Sequence, residues 1–470
     1  MFFQQAGMFV NKMQGIFKEL FSIEPHERLK VFFLSLIFFL IIGSYTITRD
    51  LKSSLFISIV GRSYIPWAKV ASMLLLVPLI LFYSKLVDSI RRYQLLALYS
   101  GTFGIVSLFF AYCISHPTIG LPNPHTSPYR LFGWFFYFFV ESYSPFVVST
   151  FWAFANSVTS PDSARNNYGF IVSGSKLGGM FTAALAWYLF GIGAQGTHSY
   201  LSDVVTHQII LIVSALMLLA IPVAVYFLIK MVPGEYLHGY EAAYQLEKQK
   251  SNEGEAKTGM FAGLNMFIKY PYVLGIFGLV FFYETISTVL SYLRLGVAEA
   301  NATNISDMSR LLFEMVFKTH AIGLVISLFG TRTLCQKLGT TFCLFLVPLL
   351  TGIFLLYLMV ETTSDALVNA FVLFKAIHYA FSWPVRESLY IPTVKEIKFK
   401  SRSWIDAFGS KIARTSGSAF NIFASMLGTE LLLPIHSFFF AGLIGVWFIV
   451  ALLLGRRFEK AIARNEVIGS

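Results

Sequence analysis

The sequence predicts an all-α polytopic membrane protein, with about twelve transmembrane helices in two six-helix bundles. Three observations carry that reading. The chain of 470 residues is 56% hydrophobic and only 13% charged, with a mean hydropathy of +0.66. Soluble domains carry about 25% charged residues, so lipid is the expected solvent. Forty-nine phenylalanines and a 17% aromatic content can fill lipid-facing surface and interface belts. Finally, apolar stretches long enough to cross a hydrocarbon core of about 30 Å recur along the chain, and one polar interval splits them into halves.

Taken in order, MFVNKMQGIFKELFSI sets apolar residues at near-helical spacing with lysines between them. Residues 1–28 are therefore expected to be an N-terminal cytoplasmic amphipathic segment, lacking the short apolar core and cleavage site of a signal peptide. Spans are expected at 29–50, 66–87, 93–115, 131–157, 168–193 and 207–231, forming a first bundle over 29–233. The polar interval GEYLHGYEAAYQLEKQKSNEGEAKTG at 234–259 marks a cytoplasmic linker over 234–268. Spans at 271–297, 310–330, 339–360, 364–391, 403–428 and 432–455 make a second bundle over 269–456, and 457–470 is a cytoplasmic tail. Two similar bundles joined by such a linker is the layout of major-facilitator-like carriers, with the site near mid-membrane between them.

Loop charge orients the chain. KLVDSIRR, TRTLCQK, KEIKFKSR and GRRFEKAIAR lie on one side, whereas SHPTIGLPNPHTSPYR, GAQGTHSYLSD and ETTSD, poor in basic residues, lie on the other. The positive-inside rule puts both termini in the cytoplasm, with a bacterial inner membrane as the expected location. The net charge of +11 is thereby assigned to topology and not to nucleic acid. Cys113, Cys335 and Cys343 are too few and scattered for a disulfide framework or metal site. The sequence has no Walker-type phosphate loop, HExxH or GxSxG, so no enzyme, metal or cofactor is expected. The GSKLGG string at 174–179 lies inside a span, where small residues favour close helix packing.

Charged side chains at bilayer depth are costly and mark a pathway or a partner. Arg49, Asp50 and Lys52 are expected at the end of span one, and Arg49 and Asp50, being adjacent, point to different helix faces and need not pair. Lys69, Glu141 and Lys176 follow in the first half. Glu284, Arg294, Lys318, Lys375, Arg386, Glu387, Lys411 and Arg414 follow in the second. Basic members outnumber acidic ones, which suits an anionic solute bearing phosphate or carboxylate. Lys69, Lys318 and Lys375 are equally compatible with internal pairing or snorkelling. Glu387 beside Arg386 is also compatible with a gating pair, and His320 and His378 read as packing residues.

Several strings resemble the nucleotide transporter family of ATP/ADP translocases, of bacterial and plastid type. YTITRDLK is similar to that family's YTILRDTK. IPWAK at 65–69 and FYSKL at 82–86 are similar to IPF-x-K and LYTKL. FWAFANSVTSPDSARNNYGFIVSGSKLGG at 151–179 resembles a stretch opening FWGFANQITT. RESLYIPT at 386–393 and IDAFGSKIARTSG at 405–417 resemble KEMAYIPL and IDVVCNPLGKSGG. The resemblance implies a major-facilitator-like fold and a nucleotide transporter, exchanging ATP for ADP in the leading reading. It places the family's span-one lysine on Lys52, its later lysines on Arg386 and Arg414, its Glu on Glu387, and the acid before FWGFAN on Glu141. The family's acidic residues after the span-one lysine and in span seven are replaced by Ser53 and Ser291, with Glu284 about two turns earlier.

In that reading Arg49, Lys52, Arg386 and Arg414 bind the phosphates. Asp50, Glu141, Asn156, Glu284, Glu387 and Tyr390 are further candidates for binding or coupling. Tyr45, Trp152 and Tyr390 are candidates to stack on a base. The expected partners are the nucleotide and membrane lipid, and the chain is expected to act as a monomer. Two alternatives stand beside it: a proton-coupled importer of another nucleotide or organic anion, and a non-transporting sensor or scaffold on a carrier fold.

Overall fold

A computed structural model describes residues 25–159, 161–193, 202–237, 269–326, 332–390, 392–394, 397, 401, 404–427 and 429–469. The expected interfacial segment before residue 25 and the linker from residue 238 to 268 lie outside them. The described chain is helical, apart from one isolated bridge between Thr393 and Ile468.

Twelve helices of at least 14 residues succeed one another. In the first half they are α1 (Pro25–Ile59), α2 (Ile65–Ser89), α3 (Arg92–Ile114), α4 (Leu131–Val158), α5 (Pro161–Gly193) and α6 (Asp203–Met231). In the second half they are α7 (Pro271–Asn301), α8 (Ile305–Ile326), α9 (Arg332–Val360), α10 (Ser364–Ile377), α11 (Ser410–Ser425) and α12 (Thr429–Ala463). Among the described residues, seven helices are long and apolar enough by themselves to cross a membrane.

Local signals explain several boundaries. Prolines open α1 and α7, where a missing N–H costs nothing. Ser202 caps α6 by accepting the Val205 N–H, and Thr363 caps α10 through Ala366. The turn into α2 is made by Gly61 at φ +113°, a left-handed conformation that favours glycine.

One expectation changes materially. Helix α1 has 35 residues and runs to Ile59. At about 1.5 Å per residue it is far longer than a 30 Å core requires. Arg49, Asp50 and Lys52 therefore lie inside the helix and not at its end. Their charges do not terminate it, because Asp50 and Lys52 are buried in ion pairs with side chains from other helices.

Helix α1 packs on α5 and α6, α3 on α6, α7 on α11, and α9 on α12. The α1–α5 approach is set by GSKLGG: a Cβ on Gly174 or Gly178 would collide with the backbone of Ser35 or Phe39. The small residues thus serve close packing, as the sequence indicated. Across the halves, α8 packs on α5 and α11 on α2. One core made only of second-half residues surrounds Tyr283, Phe374 and Trp447. Another joins Leu55, Phe136 and Phe190 to Leu295, Phe313 and Val316 of the second half.

That shared core lies towards the end of the molecule away from the linker, here termed the distal end. Several other cross-half contacts lie there too. Phe190 stacks on Phe313 and Trp187 on Phe317. His207 Nε2 lies 3.1 Å from Ser309 Oγ, and Arg62 pairs with Glu299 at 2.8 Å.

Candidate functional site

Between the two bundles lies a cavity of about 380 Å³, lined from α1, α2 and α4 on one side and α7, α8, α10 and α11 on the other. Helical spacing explains which residues reach it. Tyr45, Arg49 and Lys52 follow one another at four- and three-residue steps along α1, and Glu284, Ser287, Ser291 and Arg294 at three-, four- and three-residue steps along α7. Each set therefore shares a helix face. Two π-helical turns flank the cavity: His378–Ser382 directly after α10 and Ile405–Gly409 directly before α11. Such turns concentrate at functional sites because they re-aim the following side chains. Here they adjoin Lys375, Tyr379, Lys411 and Arg414, all of which line the cavity.

The charges form three clusters. In the first, Asp50 is 1% exposed and shared by two arginines. Arg49 Nε and Nη2 donate to its Oδ2 at 2.9 and 2.8 Å, and Arg294 Nη2 donates to its Oδ1 at 2.7 Å. The adjacent Arg49 and Asp50 do pair, a contact that their divergent helix faces did not require. Their Cβ atoms diverge, but the arginine side chain is long enough to turn back across the helix surface. In the second cluster, Glu141 of α4 accepts from Lys52 Nζ at 2.5 Å and faces Lys411 Nζ, from the opposite bundle, at 3.6 Å. Lys52 also sits 4.3 Å from the centre of the Tyr137 ring.

In the third, Arg414 donates two near-parallel bonds to Glu284, Nε to Oε2 at 2.9 Å and Nη2 to Oε1 at 3.1 Å. This is the bidentate geometry that makes arginine–carboxylate pairs strong. Ser291 and Ser53 also line the cavity. Ser291 Oγ donates to the Ser287 carbonyl at 2.6 Å.

Of the remaining candidates, Arg386 lies outside the cavity lining, 3.3 Å from Asp406. Tyr390 is 1% exposed within the second-half core, and Asn156 is exposed on α4; neither lines the cavity. The Glu387 side chain lies outside the described set. Trp152 packs on Phe38 and Phe151, leaving Tyr45 as the ring from the sequence-derived set that reaches the cavity.

Of the other lining residues, the sequence read His320 and His378 as packing residues and left Lys69 and Lys375 without an assigned role. His378 stacks on Tyr283, and His320 lies parallel to Tyr379; both histidines line the cavity. Lys69 and Lys375 line it as well. Lys318 instead pairs with Glu314 one turn away at 2.6 Å and is half exposed. The signal that could have separated these lysines is absent from linear spacing: a carboxylate at i−4 accounts for Lys318, but the surroundings of Lys69 and Lys375 are made by other helices.

In all, seven cationic side chains face three carboxylates in this lining: Arg49, Lys52, Lys69, Arg294, Lys375, Lys411 and Arg414 against Asp50, Glu141 and Glu284. The surplus is four positive charges, contributed by both bundles. Among the described residues no group of His, Cys, Asp and Glu could hold a metal ion.

A family model described as TLC ATP/ADP transporter matches residues 7–458. ADP,ATP carrier protein 1 of Chlamydia pneumoniae is 24% identical over an alignment covering 95% of each chain. The chloroplastic ADP,ATP carrier protein 2 of Arabidopsis thaliana is 23% identical, over 96% of this chain and 78% of its own. Among solved structures, a D-xylose-proton symporter superposes with a TM-score of 0.63 at 12% identity, over 90% of this chain and 96% of its own. The nucleoside transporter NupG gives 0.51 at 12% identity, over 93% and 99%. At such identities the likeness is one of fold, and that fold is major-facilitator-like.

Proposed function

Because the chain belongs to the TLC ATP/ADP transporter family, a family of multi-pass membrane carriers, we propose that it exchanges ATP for ADP by alternating access, holding the phosphates in the basic cavity. The observation that carries this reading is the surplus of four positive charges drawn from both bundles. A nucleoside triphosphate bears roughly four negative charges at neutral pH and a diphosphate roughly three, since each inner phosphoryl contributes one and the terminal group nearly two. Both therefore match the cavity better than a neutral nucleoside does.

Arg49, Lys52 and Arg414 are the sequence-derived phosphate ligands that line the cavity, and we retain them in that role. Arg386, outside it, is read as an ion-pair residue near the linker end. Tyr45 is the candidate ring for the base. Residues 29–233 and 269–456 are the two rocking bodies, with the linker end cytoplasmic on the loop-charge pattern. A complete cavity within one chain favours function as a monomer. Contact with both bundles is what couples binding to rocking, because a ligand shifts a conformational equilibrium only by its differential affinity for the two states. Glu141 and Glu284 are each held by cations, which disfavours either as the free proton carrier of a symporter.

Competition for uptake of labelled ATP by cells expressing the protein tests the reading. Excess ATP and ADP are expected to suppress uptake by more than about tenfold, and adenosine by less than about twofold, because the charged phosphates carry the recognition. Magnesium in excess should weaken the competition, since the complexed nucleotide presents about half the charge. Equal competition by adenosine would remove the phosphates as the determinant.

A further inference from the structure

We propose that Lys69 and Lys375, one from each bundle, join Arg49, Lys52 and Arg414 in taking up the anionic end of the cargo, and meet it first. This rests on the nucleotide-exchange reading above. The other cavity cations already have carboxylates: Arg49 and Arg294 share Asp50, Lys52 and Lys411 share Glu141, and Arg414 holds Glu284. Lys69, on α2, makes no hydrogen bond or ion pair among the described residues, although it lines the cavity. Lys375, on α10, is held among the described residues by neutral hydroxyls and by no carboxylate, Tyr283 Oη at 3.2 Å and Ser287 Oγ at 2.5 Å. The faces of the Phe371 and Tyr379 rings lie 6.0 and 5.9 Å from its ammonium.

A cation at membrane depth without a carboxylate is a standing cost to the fold. Replacing it with an apolar side chain of similar length should leave the empty protein as stable or more so. Such a group is retained where a ligand supplies the missing anion. Arg414 and Lys52, by contrast, have to share or release their carboxylates before they can engage phosphate. The two lysines face no such competition, so each adds its full attraction. Coming from α2 and α10, they are bridged by one polyanion only when the bundles close on it. That gives the closed state the differential affinity that alternating access requires.

The test uses the purified full-length protein in detergent, titrated with ATP and separately with inorganic triphosphate. Affinity and melting temperature are read for wild type, Lys69→Met, Lys375→Met, Lys69→Arg and Lys318→Met. Each of the two cavity Met variants is expected to melt at or above the wild-type temperature when empty. In each, the Kd for ATP should rise at least about tenfold. Lys69→Arg should keep its ATP response, and Lys318→Met should stay within about twofold of wild type because Lys318 lies outside the cavity.

Kd values within about twofold of wild type in both cavity Met variants would overturn the proposal. Loss in only one would overturn the two-bundle grip. Lowered melting of both empty variants without loss of affinity would assign the lysines to the fold. A wild type that responds to triphosphate but not ATP sinks the nucleotide reading alone, and the variants are then judged on triphosphate. Response to neither overturns both.

Discussion

Glu141→Gln is expected to abolish exchange while binding ATP more tightly than the wild-type protein does. Glu141 is the carboxylate on which a lysine from each bundle converges, Lys52 at 2.5 Å and Lys411 at 3.6 Å. Neutralising it leaves two mostly buried ammonium groups without their anion. Removing one partner of a buried pair costs about 3–5 kcal/mol, and the partial exposure of this cluster puts the expected loss at the lower end. The empty variant should therefore melt earlier.

Bound ATP supplies the missing charge, so the ligand-induced rise in melting temperature should exceed that of the wild type. Tighter binding of one state does not speed transport. It deepens the loaded well from which the carrier must escape, and exchange should fall at least about a hundredfold. Lys52→Gln, which removes a cation, should lose binding and exchange together. Thermal titration and initial exchange rates distinguish the two variants. Weaker ATP binding by Glu141→Gln than by wild type would show that the carboxylate contacts the cargo and does not merely organise the lysines.

Asp50→Asn should be more damaging than Arg294→Gln. Asp50 is the shared anion of two arginines, one on its own helix and one on α7 of the opposite bundle. Its loss leaves two guanidinium groups facing each other in a buried site, whereas loss of Arg294 leaves Asp50 still paired with Arg49. The Asp50–Arg294 bond belongs to the same distal closure as the Arg62–Glu299 pair and the Phe190–Phe313 stack. Both variants should consequently open the distal end more often. The expected order is a loss of about 3 kcal/mol or more for Asp50→Asn and a smaller loss for Arg294→Gln. Melting temperature with exchange rate checks it, and the reverse order would contradict a shared-anion role.

Much of the helical architecture was legible in the sequence, because hydropathy is a local property. The apolar stretches became helices near their expected places, and GSKLGG became a packing surface. The cations of the cavity were also visible, since an ionisable residue in an apolar span is conspicuous wherever it points. The pairings were not. Asp50 meets Arg294 and Glu141 meets Lys411 across more than half the chain, and no periodicity encodes which helices become neighbours.

The pairing of Arg49 with Asp50 escaped for a different reason. Helical direction fixes where Cβ points, not where a long guanidinium can reach. The drop in hydropathy at 49–52 likewise looked like a helix end, although ion pairing across helices lets α1 continue to Ile59. Arg386 and Tyr390 show the limit of reading strings: RESLYIP has a counterpart in the family, yet neither residue lines the cavity. Glu284 shows the converse, since it holds Arg414 from a position two turns before Ser291.

Counter-exchange in proteoliposomes tests the central claim most directly. Purified protein would be reconstituted with ADP, with ATP or with no nucleotide inside, and uptake of external labelled ATP followed with and without a proton uncoupler. Uptake is expected only into nucleotide-loaded vesicles, with label released by external ADP and no sensitivity to the uncoupler. Uptake into empty vesicles that the uncoupler collapses would contradict exchange and make the protein a proton-driven importer.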